Sequence, residues 1–144
     1  MSSSPLKAAL NQVPFHKTLN LQVVETTPGT GSLTIPAENG VLDHTGSIHS
    51  GVLFALGEVV IAVALGTTPL LAGIQQLRQA SRVTYISPCV GPAHANLSVD
   101  NDQMTEAVVL CKRDGHASVE LSVDITDNSG KTVATVISLY KLMA

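Results

Sequence analysis

The sequence predicts an α+β domain in which one curved antiparallel sheet wraps around one long central helix. Three observations carry this expectation. From Gly51 to Gly66 every residue is apolar or glycine except Glu58, a run too long for an ordinary strand and followed by the stop Gly66-Thr67-Thr68-Pro69. Ala93 to Asn101 and Ala117 to Thr126 alternate apolar with polar residues, the period of two that half-buried strands require. A helix apolar on all sides must be buried around most of its circumference, and a sheet that is polar on one face has only its other face to offer.

Taken in order, Ser4 to Gln12 reads as a short helix, with Ser4 as cap and Pro5 at the first helical position. Leu19 to Thr26 is β-rich and leads through Pro28-Gly29-Thr30-Gly31 into Ser32 to Ala37, a hairpin pattern. Glu38 to Ser47 lacks a period and reads as a loop, and the apolar helix follows it. Ile74 to Ser87 ends in a strand-like Val-Thr-Tyr-Ile-Ser, halted by Pro88. Gln103 to Arg113 fits either a strand or a short helix. Beyond the alternating strand at 117–126, the turn Asp127-Asn128-Ser129-Gly130 leads into a last strand, Thr132 to Leu142. The expected order is a short helix, two strands, one long helix, then antiparallel strands.

Composition narrows the function. The 144 residues suit one domain, 1–144, and carry a net charge of −3 with no basic run, which argues against nucleic acid as a partner. The apolar run falls short of the roughly 20 residues a membrane span needs, and it contains Glu58, so a buried core helix is expected rather than a membrane contact. No secretory pattern opens the chain, and the reading is of a soluble, cytoplasmic protein. Cys89 and Cys111 fit neither a metal pattern nor a disulfide framework and read as buried, reduced thiols. His16, His94 and His116 lack metal-ligand spacing and read as surface residues, so neither metal nor cofactor is expected. With 44% hydrophobic residues, the chain has apolar surface to bury in an oligomer.

Glu58 is the residue that asks for an explanation. Its helical neighbours are Gly51, Phe54, Ala55, Ile61, Ala62 and Leu65, none of which is a cation or a hydrogen-bonding side chain. A partner must come from Arg78 or Arg82, from another chain, or from a ligand. The carboxylate belongs to a structural pair, or points out through a gap in the packing, or is a base of the kind that acid–base chemistry uses. Just before the helix, Gly46, Ser47, His49, Ser50 and Gly51 bring small residues and a histidine to its N-terminus. There the unpaired backbone N–H groups and the helix dipole can hold a developing oxyanion. Eight residues of helix separate Ser50 from Glu58 by about 12 Å. A carboxylate acting beside that N-terminus is therefore supplied more easily by a second subunit.

The pattern Gly46-x-x-His49-Ser50-Gly51-x(4)-Leu56-x-Glu58 resembles the G-x-x-H-G-G-x(4)-L-x-D/E signature of the PaaI-like group of hotdog-fold thioesterases. Tyr85-Ile86-Ser87-Pro88 and the stretch from Asp127 to Ala134 also follow that group's course, and the resemblance runs from about Phe15 onward. It implies a hotdog fold and hydrolysis of an acyl-coenzyme A thioester, in a site shared by the subunits of a homodimer or homotetramer. Glu58 would be base or nucleophile, and the Ser50 N–H would polarise the carbonyl. Thiols leave readily, having a pKa of about 8.5, so no strong general acid is needed. His44, Gly46 and Gly51 would border the substrate, with Arg82, Tyr85 and Ser87 along the pantetheine channel. His49 belongs to the catalytic site either as part of its rim or, the favoured role, by fixing the loop through a backbone contact. Lys112 and Arg113 either meet the coenzyme A phosphates or form a solvated turn.

Two positions depart from the family pattern. Ser50 replaces the first glycine of H-G-G, keeping the N–H but adding a side chain. Asp43 stands where the family often has Asn, and an anion there repels an oxyanion unless it is protonated or has another role. A carrier or sensor that binds acyl-coenzyme A without turnover is therefore a second reading. A hotdog dehydratase is disfavoured by the absence of an H-F-P-G loop. Two Phe, two Tyr and no Trp favour a short or medium aliphatic acyl group over an aryl one.

Overall fold

The computed structural model describes residues 9–10, 12–24 and 27–144. Most of the helix expected over Ser4 to Gln12 lies outside these residues, as do positions 25 and 26 of the first expected strand. A helix not foreseen in the sequence, α1 (Pro14–Thr18), begins on a proline at its first turn. The strands are β1 (Gln22–Val23), β2 (Thr30–Ile35), β3 (Gln75–Tyr85), β4 (Ala93–Ser98), β5 (His116–Thr126) and β6 (Thr132–Met143). They form one antiparallel sheet in the order β1-β2-β4-β5-β6-β3.

The apolar run is α2 (Ser50–Thr67), packed across the inner face of that sheet. Its stop is built from threonines as well as Pro69. The Thr67 hydroxyl donates to Val63 O at 2.8 Å and accepts from Gly29 N–H at 3.0 Å, tying the helix end to the turn before β2. Leu56, Val60, Ile61 and Leu65 are fully buried against inward residues such as Leu33, Ile125 and Val136. Although α2 has the length and hydropathy of a membrane span, it is the core helix of this domain. Half of its residues, not most, are buried within the chain. The sheet covers one side only, so Glu58, Val59, Ala62 and Gly66 form a stripe open on the other.

The segment that fitted either strand or helix is a helix, α3 (Asn101–Asp114), so a second long helix interrupts the expected run of strands. The Asp100 carboxylate caps it, accepting from the N–H groups of Asp102 and Gln103 at 2.9 and 3.3 Å. Gly115, at φ 88°, closes it in the left-handed conformation that glycine adopts without penalty. Met104, Ala107 and Cys111 form its buried face, against β5 and the turn after α2. Cys89 and Cys111 are both free and buried.

Candidate active site

The loop entering α2 is shaped by Asp43. Its Oδ1 accepts from Thr45 N–H (2.8 Å), the Thr45 hydroxyl (2.6 Å) and Ser47 N–H (3.2 Å). The Thr45 hydroxyl, then the Thr45 and Ser47 N–H groups and the neighbouring His44, hold this exposed carboxyl below its ordinary value. Asp43 is therefore an anion at neutral pH, and protonation is not how the loop accommodates it.

His49 caps the helix. Its Nδ1 accepts from Gly51 N–H at 2.9 Å, and its carbonyl accepts from the N–H groups of Val52 and Leu53. Of the four N–H groups that open α2, His49 thus satisfies three. The Ser50 N–H alone has no hydrogen-bond partner among the described residues. Ser50 borders a groove of about 400 Å³ together with Asp43, Tyr85, Ile86, Ser87 and Cys89. The Tyr85 hydroxyl donates to Ser50 O at 3.0 Å, and Ser87 Oγ is buried without a partner among the described residues. Burial, with Asp127 adding to it, pushes the Cys89 thiol up, so its reactive thiolate form is disfavoured.

Glu58 opens onto a different cavity, of about 460 Å³, lined by Phe15, His16, Ala55, Val59, Ala62, Gly66 and Arg78 among others. It is not a lone carboxylate. Arg78 Nε lies 3.5 Å from Glu58 Oε2, and Arg78 Nη2 donates to Glu58 O at 2.7 Å. The guanidinium also lies over the Tyr140 ring, 5.2 Å from its centroid. Burial raises the pKa of the Tyr140 hydroxyl, partly offset by the Arg78 charge, so the phenol stays neutral there.

One chain therefore brings Asp43, Ser50, Tyr85 and Ser87 together and holds Glu58 apart from them. His44, Gly46 and Gly51 lie at the loop and the helix start, where Gly51 is exposed. Arg82 lies on the outer face of the sheet with Glu120 and Ile137, away from both grooves. Lys112 and Arg113 are exposed at the end of α3, where Arg113 is paired to Asp114 through two 2.9 Å hydrogen bonds. His94 is not a free surface residue: its ring nitrogens contact Thr34 Oγ1 (2.9 Å) and Asn128 Oδ1 (3.1 Å). The bonding of Thr45 and Ser47 to Asp43 was missed, although Asp-x-Thr-Gly-Ser is the kind of stretch in which an Asp side chain folds back on its own loop.

A six-stranded antiparallel sheet wrapped around one long helix is the hotdog fold, and solved structures of that fold superpose on nearly the whole chain. A probable thioesterase of unknown function from Pseudomonas aeruginosa matches at 21% identity with a TM-score of 0.90, covering 99% of this chain and 96% of that one. The PaaI protein of the phenylacetic acid degradation operon of E. coli matches at 17% and 0.72, covering 98% and 91%. A mutant of a thioesterase from Staphylococcus aureus matches at 12% and 0.68, covering 90% and 98%. The chain belongs to the DUF4442 family, a domain of unknown function, which it matches over residues 4–140. No curated protein matches it.

Proposed function

We propose that the protein is a thioesterase acting on acyl-coenzyme A, in a site assembled from two copies of the chain. The observation that carries this reading is the Ser50 N–H, left without a partner among the described residues at the N-terminus of α2, beside a groove roomy enough for a thioester. In this reading the carbonyl oxygen of the substrate takes that N–H, at the positive end of the helix dipole. Glu58 of a second copy removes a proton from water, whose oxygen bonds to the carbonyl carbon. The C–S bond then breaks, and the thiolate takes up the proton that Glu58 received. Tyr85 and Ser87 line the path of the pantetheine arm, with His44, Gly46 and Gly51 at its mouth. Lys112 and Arg113 lie at the opposite end of β5 from this groove, so in this reading it is the second copy that brings them to the phosphates. Ala55, Val59, Ala62 and Gly66 suit a short or medium aliphatic acyl group in the cavity beside Glu58. Two buried free thiols suit the reducing cytoplasm, where coenzyme A esters are also found.

Asp43, an anion on the rim of the same groove, favours a second reading in which acyl-coenzyme A is bound without turnover. The two are separated by thiol release from a panel of acyl-coenzyme A esters, run with the parent protein, Glu58→Gln and Glu58→Ala. Turnover in the parent that collapses in both folded variants supports the base. Binding without turnover in the parent supports the carrier, and variants as fast as the parent exclude Glu58.

A further inference from the structure

Arg78 Nε is a buried hydrogen-bond donor without a hydrogen-bond partner among the described residues. A donor in that condition is expensive, and the acceptor that faces it, Glu58 Oε2, stands at 3.5 Å, beyond hydrogen-bond range. The guanidinium has little freedom to close this gap. It is anchored to Glu58 O through Nη2 and lies over the ring of Tyr140, its register partner on β6. A β-bulge between Arg78 and Ala80 holds it toward the inner face, a device common beside active sites, where it re-aims a side chain. The Glu58 carboxylate is the partner free to move: it accepts no hydrogen bond among the described residues, and it borders the cavity.

We infer that Arg78 is the positioning residue for Glu58: its Nε–H closes on Oε2 when substrate engages, which leaves Oε1 aimed at the attacking water. Hydrogen bonds at catalytic groups are commonly long before the substrate arrives and shorten in the complex. A rigid fork suits this task, because one arm fixes the helix carbonyl while the other fixes the carboxylate. Lysine, a single point charge on a flexible stem, can do one of these at a time.

The inference rests on the thioesterase reading, and its test separates the two. Steady-state thiol release is measured for the parent, Glu58→Gln, Arg78→Lys, Arg78→Met and Arg78→Ala, the last with and without added guanidinium ion. Misplacing a base by about 1 Å lowers turnover on the order of 100-fold. Arg78→Met is expected to lose that much in kcat with KM little changed, and Arg78→Lys to lie between. Guanidinium should restore turnover to Arg78→Ala but not to Glu58→Gln, a rescue that a purely structural arginine would not show. Arg78 variants with parental kcat beside an inactive Glu58→Gln overturn this inference alone. So does a loss confined to KM, or a lost kcat that guanidinium leaves unrescued. An inactive parent, or an active Glu58→Gln, overturns the reading beneath it as well.

Discussion

Ser50 and Glu58 lie on one helix, two turns apart, and open onto different cavities. The rise of the helix fixes their separation at about 12 Å, so no side-chain rotation within one chain brings the carboxylate to the Ser50 N–H. In the two-copy reading, each chain carries half of two sites.

This arrangement predicts complementation. Ser50 is the first residue of α2 and His49 has ψ 138°, a backbone that accepts a following proline. Ser50→Pro should therefore fold while lacking the N–H, and should lose on the order of 100- to 1,000-fold in kcat, the usual effect of losing one oxyanion donor. Mixed with Glu58→Gln through an unfolding and refolding step, it should regain about a quarter of parental activity, since half of randomly paired twofold dimers hold one intact site. No recovery in demonstrably mixed dimers would overturn the two-copy reading.

Gly57 tests the fit between helix and sheet. A Cβ there would lie 2.7 Å from Val136 Cβ and closer still to Val136 Cγ2. Gly57→Ala should lower stability by about 1–3 kcal/mol through overpacking, despite the better helix propensity of alanine. Adding Val136→Ala should recover part of that loss, and denaturant midpoints of the parent, the two single variants and the double variant measure the coupling.

The long helix was legible from the length of its apolar run and its stop signal, and β4 and β5 from their period of two. What the sequence left open turned on end signals at one segment and on contacts between distant ones. Gln103 to Arg113 combines a Val-Val-Leu run suited to a strand with a helical spacing of Met104, Ala107 and Cys111, and the caps at Asp100 and Gly115 settle it as a helix. Arg78 and Arg82 are four apart, so in a regular strand they would share a face. One extra residue in the bulge between Arg78 and Ala80 sends Arg78 inward to Glu58 and Arg82 outward to Glu120 and Ile137. Neither the bulge nor the register with β6 leaves a signal in the local pattern, which is why the partner of Glu58 could not be chosen between them.

The turn between β5 and β6 predicts a pH dependence. Asp127 Oδ1 accepts from Ser129 N–H (2.9 Å), the Ser129 hydroxyl (2.6 Å) and Lys131 N–H (3.1 Å). The Ser129 hydroxyl first, then these N–H groups and the Lys131 charge, hold the carboxyl below its ordinary value. A carboxyl whose folded value is depressed stabilises fully above its unfolded value, about 4, and loses that contribution as pH falls through the folded value. Asp127→Ala should therefore lower Tm by a constant amount near neutral pH, with the gap narrowing below about pH 4. A gap that stays the same into acid would mean that the neutral acid holds the turn as well as the anion does.

Asp43 makes the sharpest prediction about activity. Its Oδ1 receives three hydrogen bonds, all of which an asparagine Oδ1 can also accept, so Asp43→Asn should keep the loop and the helix start intact. What the substitution removes is a fixed negative charge from the rim of the groove that holds Ser50. In the proposed reaction both the oxyanion of the transition state and the phosphates of coenzyme A are anions, so kcat/KM should rise several-fold at low salt. Because Asp43 is exposed, the gain should shrink as salt shortens the screening length toward about 8 Å at physiological ionic strength. A fall in kcat with unchanged Tm would give the opposite assignment. The second oxygen of Asp43 would then orient water or substrate, and the charge would be part of the chemistry rather than an obstacle to it.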